Sequence, residues 1–212
     1  MRQPTNISKP VGLDRIIQDF QTHLKSELSW LSHAFGRAYK RTSENEVYPV
    51  SYIGKNEYLS VFPQDHNVKG LCFFDVDDSI NVEPFQTVFN SWNETEIGLI
   101  FFVNIDKIST YSHRGDEEII KAVYESLASF RPVQADWQLN EIVRGIENVY
   151  SNYNYEGTKI IDMQPYFVFS LQFDVKYKYL QDSTMCKKKI NAISIENNNI
   201  LMVSENNILV WK

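Results

Sequence analysis

The side chains best suited to chemistry are carboxylates that follow a short apolar segment. The stretch Leu71–Ser79 reads LCFFDVDDS, so an apolar run ends in the pattern D-x-D-x-S. One interpretation is a catalytic site at Asp75 and Asp77. The other is a strand followed by an acidic loop in solvent, which is the commoner origin of such a pattern because short motifs arise readily by chance.

The D-x-D-x-S pattern resembles the first motif of haloacid-dehalogenase-like phosphatases. That resemblance implies Asp75 as nucleophile, Asp77 as acid/base and the pair as a Mg²⁺ site. The chain departs from the family pattern, because the motif follows several extended segments and no second strand ends in Ser or Thr. Gly115-Asp116, the nearest match to the acidic fourth motif, follows a polar segment. Lys107 is the only candidate for the lysine of the family's motifs. We therefore expect the acidic loop.

Histidine and cysteine offer no metal or nucleophile site. The four histidines are dispersed and have no partner at zinc spacing. Cys72 lies in an apolar segment and is expected to be an inert core thiol, whereas Cys186 beside Lys187–Lys189 is expected in an exposed loop. The sequence predicts no cofactor and no metal.

Composition narrows the functional classes. The net charge of −6 argues against binding a polyanion with the whole surface, because Lys and Arg supply most nucleic-acid affinity. No apolar run reaches the roughly 18 residues of a spanning helix, so no membrane role is expected. Two cysteines and no charged-then-apolar leader predict folding in a reducing cytosol.

The most regular pattern is Pro165–Tyr179, PYFVFSLQFDVKYKY, in which apolar and polar residues alternate. Alternation predicts a half-buried β-strand. At roughly 3.4 Å per residue the strand would run about 50 Å, so it either bends across a sheet or extends toward a neighbour. The apolar side predicts a core of Phe167, Phe169, Leu171, Phe173 and Val175.

Helical spacing predicts three longer helices. One begins at Leu13, continues through Phe35 and ends at Gly36 with the basic residues Arg37, Lys40 and Arg41. A second has Asp116 as N-cap and ends near Pro132, and a third has Asp136 as cap and runs to Tyr153. Pro84–Trp92 is a candidate short helix.

Extended segments are predicted between and after these helices. Turn-like linkers separate Tyr48–Ile53, Tyr58–Phe62 and Gly70–Phe74, and the most apolar run, Ile97–Ile105, predicts a central strand that pairs with the long one. Three short segments, Ile190–Ile195, Ile200–Val203 and Ile208–Trp211, predict a β-meander. The fold class is therefore α+β: a small mixed or antiparallel sheet containing strand 165–179, packed by three helices, with a flexible arm at 1–12, a main domain at 13–180 and a meander extension at 181–212.

The order of these elements, with the segment YPVSYIGKNEYLSVFPQDHNVKGLCFF and the late F-x-F-x-L-x-F-x-V-x-Y strand, resembles tail-completion or neck ring proteins of tailed bacteriophages. The Tyr/Asn-rich composition and the long β-element are similar to the ring proteins of crAss-like phages in particular. The resemblance covers about Leu13 to Tyr179. It implies a non-enzymatic virion protein of the neck or tail, assembled in the host cytoplasm, that forms a homo-oligomeric ring between portal, ring and tail proteins.

The long strand and the acidic charge of the chain are both compatible with such a ring. The exposed edge of a long strand can extend a neighbour's sheet, and an acidic lumen lets genome DNA pass without sequence-specific binding. The residues predicted to contact neighbours, besides the arm, are Tyr177, Tyr179, Ile208, Val210 and Trp211. Two alternatives stay open: the Mg²⁺-dependent phosphatase, and a monomeric module that captures a peptide with its aromatic strand.

Overall fold

The structure is a computed structural model. It describes residues 6–43, 46–62, 68–82, 92–108, 115–132, 135–155, 165–179, 192–196, 199–204 and 207–211. The chain divides into two compact units, Met1–Lys178 and Tyr179–Lys212. The first unit contains the helices and the large sheet, and the second contains the C-terminal strands.

The first unit is an α+β fold, as the sequence predicts, built on a mostly antiparallel mixed sheet of eight strands. The strands are β1 His33–Ser43, β2 Glu46–Gly54, β3 Glu57–Ser60, β4 Gly70–Val76, β5 Asn81–Val82, β6 Asn93–Asn104, β7 Ala135–Arg144 and β8 Tyr166–Tyr177. The helices are α1 Leu13–Glu27, α2 Asp116–Ala128 and α3 Ile146–Val149, with a 3-10 turn at Ile105–Lys107. The strand order is β3-β2-β1-β4-β6-β8-β7, with β5 against β6, and β1 with β4 is the parallel pair.

The pairing of β6 with β8 forms the centre of the sheet and confirms the partner predicted for the long strand. It runs for twelve residues, from Asn93 opposite Tyr177 to Asn104 opposite Tyr166. Phe101 stacks on Phe169 with ring centroids 4.9 Å apart. The apolar run of β6 is buried on both faces, which explains why it lacks alternation.

Two apolar layers cover the sheet. On one face, α1 and α2 pack against alternate residues of β4, β6 and β8, including Phe74, Phe101 and Phe173. On the other face, the intervening residues Phe73 and Phe102 pack against residues around α3 and the segment after β3. The layer under α1 and α2 includes all five residues predicted as the core of the long strand: Phe167, Phe169, Leu171, Phe173 and Val175.

The predicted exposed edge of the long strand is wrong, because β8 has β6 on one side and β7 on the other. Strand β7 occupies the first half of the segment predicted as a helix from Asp136 to Tyr153, so the Asp136 cap is wrong, and helix occurs there only at α3, Ile146–Val149. Leu139 and Ile142 both face the same layer although they are three residues apart, because Asn140 is the extra residue of a β-bulge. Because of this extra residue, apolar residues on one face of the strand are three positions apart, a spacing that is typical of a helix.

The first helix is confirmed only from Leu13 to Glu27. Residues Leu28 and Leu31 are buried in the turn after α1, and Phe35 belongs to β1, so the apolar spacing continued past the helix end. Lys25 donates hydrogen bonds to the carbonyls of Leu31 and Ser32, which ties the last helical turn to this connection. The predicted basic helix end is therefore wrong: Gly36, Arg37, Lys40 and Arg41 all lie in β1.

The remaining predictions are mostly confirmed. The three extended segments before residue 75 correspond to β2, β3 and β4, and the turn between β2 and β3 places Lys55 and Asn56 at positive φ. The second helix is confirmed, but its N-cap is Gly115 and Asp116 is its first residue, without a capping side-chain hydrogen bond. The predicted helix at Pro84–Trp92 falls almost wholly outside the described residues.

The second unit contains three antiparallel strands, β9 Ala192–Glu196, β10 Asn199–Ser204 and β11 Asn207–Trp211, in the order β11-β10-β9. This is the predicted C-terminal β-meander. Its strands have only five, six and five residues.

We predict that Phe101→Ala lowers the free energy of unfolding by about 3–5 kcal/mol, because it removes a fully buried ring from the central strand pair. Urea unfolding followed by circular dichroism measures this change. The matched control is Tyr124→Ala on α2, whose side chain is 54% exposed and whose loss should cost less than about 0.5 kcal/mol. Equal effects of the two substitutions would contradict the central role of the β6–β8 pair.

Candidate functional site

Asp75, the sequence's first candidate for catalysis, lies in a polar row across three strands. The register places Asp75 of β4 opposite Gly98 of β6, and Gly98 opposite Gln172 of β8. A Cβ on Gly98 would lie 3.0 Å from Gln172 Oε1, so the glycine leaves room for the glutamine side chain. Gln172 Nε2 donates to Ser170 Oγ at 2.9 Å, which holds the amide along β8.

Both carboxylate oxygens of Asp75 accept hydrogen bonds from the segment after α3. Tyr153 Oη donates to Oδ1 at 2.8 Å, and Asn152 Nδ2 donates to Oδ2 at 3.4 Å. Burial raises the pKa of Tyr153 far above its usual value, and the adjacent charge of Asp75 raises it further. Asp75 therefore joins the segment after α3 to the sheet.

A cleft of about 230 Å³ opens beside Asp75. Its polar lining comes from Lys40, Asp75, Asp77, Glu96, Asn148, Ser151, Asn152 and Gln172. Lys40 pairs with Asp78 at 3.4 Å, and Asp77 is solvent-exposed and accepts the Ser79 hydroxyl at 2.9 Å. Hydrogen bonds from Ser79 lower the pKa of Asp77. The acidic residues after β4 thus form a local turn in solvent, the arrangement that we preferred from the sequence.

This geometry offers little support for the phosphatase hypothesis. Hydrogen bonds from Tyr153 and Asn152 hold the Asp75 carboxylate against the segment after α3. Strand β4 has antiparallel β6 on one side and parallel β1 on the other, so of these two neighbours only β1 ends at the same edge, where its Lys40 pairs with Asp78. Among the described residues, no group of three or more His, Cys, Asp or Glu side chains is placed to hold a metal ion.

The described cysteine and histidine side chains of the first unit are buried or packed against neighbouring elements. Burial raises the pKa of the Cys72 thiol far above its usual value. Burial also lowers the pKa of His33, which stacks on Phe35. His23 Nε2 lies 2.7 Å from the Ser126 carbonyl and its ring stacks on Phe130, which joins α1 to α2. The predicted loop residues Cys186 and Lys187–Lys189 lie outside the described residues, as do His66 and His113.

The predicted contact residues fall into three environments. Tyr177 is only 1% exposed and belongs to the core, because its position in the alternation of β8 faces α1 and α2. Tyr179 is 52% exposed. Ile208, Val210 and Trp211 lie in β11, whose side chains are outside the description. The surface available for a subunit contact in β8 therefore differs from the predicted one.

An aromatic cluster at the surface, which we call the tyrosine patch, consists of Tyr39, Tyr52 and Tyr58 on β1, β2 and β3, of which Tyr39 and Tyr58 are exposed and Tyr52 is half-buried. Tyr58 meets both other rings edge-on, with centroids 5.9 Å from Tyr39 and 5.6 Å from Tyr52. The Arg37 guanidinium lies 5.5 Å from the centre of the Tyr39 ring. Arg37 and Tyr39 are two residues apart, the spacing of neighbours on one face of a strand. This spacing was missed because the segment was interpreted as a basic helix end.

The two ends of the sheet are open in the described part of the chain. No described strand pairs with the outer side of β3 or with that of β7. Strand β7 has ten residues, and its alternating side chains place Asp136 and Gln138 in solvent and Trp137 against Phe173. The long open edge of this sheet is therefore β7, in place of the predicted β8.

The comparisons with known proteins leave the family of the chain open. No protein-family model matches it, and no curated protein matches it either. Within the described residues, none of the helices has the length and apolar character needed to cross a membrane.

We predict that Tyr153→Phe changes how stability depends on alkaline pH. A raised pKa in the folded state means that the stabilisation is present below about pH 10 and is lost as pH rises, because the unfolded tyrosine then ionises first. Each such tyrosine contributes a fall of about 1.4 kcal/mol per pH unit in the free energy of unfolding. Urea unfolding between about pH 10 and pH 11 should show that fall reduced in Tyr153→Phe.

The control for this measurement is Tyr124→Phe, whose exposed hydroxyl should leave the slope unchanged. At neutral pH, Tyr153→Phe should also cost about 1.5–3 kcal/mol, because it removes a hydrogen bond to a charged group. An unchanged alkaline slope together with unchanged neutral stability would show that Tyr153 does not bind Asp75 in solution.

Proposed function

We propose that this chain is a structural virion protein that closes into a homo-oligomeric ring in the neck or tail of a tailed bacteriophage. In this proposal the ring joins portal to tail, contacts the neighbouring ring and tail proteins, and lets genome DNA pass through its lumen. The chain acts as an assembly element and carries out no reaction.

The observation that carries the proposal is the pair of unlike open edges at the two ends of the described sheet. A ring of identical subunits needs a heterologous contact, in which one surface of each copy meets a different surface of the next. Edge strands offer unpaired backbone groups for such a contact. Strand β7 supplies ten residues for one side of it, and β3 lies at the other end of the sheet.

Two further features support the proposal. A sheet of three strands as short as β9, β10 and β11 needs a hydrophobic face packed against another element, and a neighbouring subunit offers such a surface. The net charge of −6 suits a lumen through which DNA must slide, since few phosphate contacts would hold it. The tyrosine patch adds exposed aromatic area of the kind enriched at interfaces.

We predict that the purified chain forms a closed oligomer of defined mass, measured by light scattering over a range of concentrations. Deleting residues 190–212 should reduce that mass if the meander contributes to the contact. A monomer at every concentration would favour the peptide-binding module over a self-closing ring. A Mg²⁺-dependent hydrolysis of a generic phosphate ester, lost in Asp75→Asn, would favour the phosphatase instead.

We predict that two lysines on β7, Gln138→Lys with Asn140→Lys, prevent oligomer closure while leaving the subunit folded. Lysine side chains on an edge strand oppose the addition of a further strand. Light scattering measures the mass, and circular dichroism checks the fold.

The matched control for the two lysines is Glu118→Lys on the exposed face of α2. It changes the net charge by the same two units, because it replaces a negative group with a positive one. A full-size oligomer in the β7 variant, or equal loss in both variants, would contradict a contact through this edge.

A further inference from the structure

Residue Ile7, in the segment before α1, is bound by a side chain of that helix. The Ile7 N–H donates to Gln18 Oε1 at 2.9 Å, and Gln18 Nε2 donates to the Ile7 carbonyl at 3.4 Å. One amide side chain thus satisfies both backbone groups of Ile7. Residues 6–12 are the described part of the predicted arm at 1–12. From here on we call residues 6–12 the arm and Gln18 its clamp.

The clamp opens onto a small groove between α1 and the β1–β2 ribbon. A cavity of about 40 Å³ there is lined by Ile7, Asp14, Ile17, Gln18, Gln21, Gly36, Arg37, Tyr39, Ser51 and Tyr52. Gln21 Nε2 donates to the Ala34 carbonyl, and a Cβ on Gly36 would lie 3.3 Å from Gln21 Oε1. The floor of the groove is therefore closely packed, and Tyr39 and Tyr52 of the tyrosine patch form one wall.

The arm is attached to its own groove by few contacts. Ile7 is 43% exposed and Val11 is 67% exposed. The chain folds back through Gly12, whose φ of 54° and ψ of −127° are strained for any residue with a side chain. A rotation at this one glycine would release the arm while α1 stays in place.

We propose that the groove is a receptor for the arm of the adjacent subunit, so that neighbouring copies exchange residues 6–12. This inference rests on the proposed ring. Exchange replaces each contact with an identical one from another copy, so its intrinsic cost is low. Once two copies are held side by side, the neighbour's arm reaches the clamp at a high effective concentration. The exchanged arms then link successive subunits independently of the sheet edges.

The test uses the full chain with a photo-reactive benzoylphenylalanine in place of Ile7, which leaves the backbone groups for the clamp. Copies labelled with ¹⁵N are mixed with an equal amount of unlabelled copies, left to equilibrate, irradiated and digested. Mass spectrometry then identifies cross-links between the arm and residues 14–21 or 36–52. Complete exchange predicts that about half of these cross-links join a labelled to an unlabelled peptide.

The clamp variant is Gln18→Ala, which should lower the yield of arm cross-links at least about fivefold, since both hydrogen bonds are lost. Glu118→Ala on the exposed face of α2 is the matched control and should leave the yield unchanged. Gln18→Glu keeps an acceptor for the Ile7 N–H but places a carboxylate against the Ile7 carbonyl, so its yield should also fall. An unchanged yield in Gln18→Ala would overturn the clamp.

Light scattering on the same samples separates this inference from the ring. An oligomer with only same-isotope cross-links overturns arm exchange and leaves the ring standing. Mixed-isotope cross-links in a species no larger than a dimer support arm exchange and count against the ring. A monomer with only same-isotope cross-links overturns both.

Discussion

The antiparallel pairing of β6 with β8 is the interaction on which the rest of the fold depends. Twelve residue pairs place β6 and β8 side by side. Strand β6 contributes buried rings to both faces, Phe101 to one and Phe102 to the other, and the buried rings of β8 face α1 and α2. A strand pair covered on both faces requires elements on both sides of the sheet. Helices α1 and α2 supply one cover, and the segments around α3 and after β3 supply the other.

The same sheet explains why its polar residues form a structural network. Asp75, Gly98 and Gln172 lie in one row on the face where the apolar cover ends, and Tyr153 reaches this row from the segment after α3. A half-buried carboxylate is costly unless it is hydrogen-bonded, and a buried hydroxyl needs a partner for the same reason. Each group satisfies the other, so the network fixes the position of the cover without requiring a reaction.

The edges of the sheet connect the fold to the proposed assembly. With β6 and β8 in the centre, the open edges of the described sheet lie at β3 and β7, which differ in length and in side chains. Two unlike edges suit a contact that repeats around a ring better than a contact that closes a symmetric dimer. The arm precedes α1 and its clamp lies on α1, so together they offer a second type of link between the same neighbours.

The sequence by itself determined the elements whose burial follows from local pattern. Strand β8 was predicted from alternation, β6 from continuous apolarity, and α1 and the stripe of α2 from helical spacing. Tertiary structure alone decided the rest, because one spacing can arise in two ways. The bulge at Asn140 gave β7 a helical period, and the buried turn at Leu28 and Leu31 prolonged the pattern of α1 into β1. Those two errors concealed the tyrosine patch and the open edge, and no local pattern could have shown that Tyr153 would bind Asp75 from 78 residues away. Such pairings depend on which strands become neighbours, and that is settled by the burial of the whole sheet.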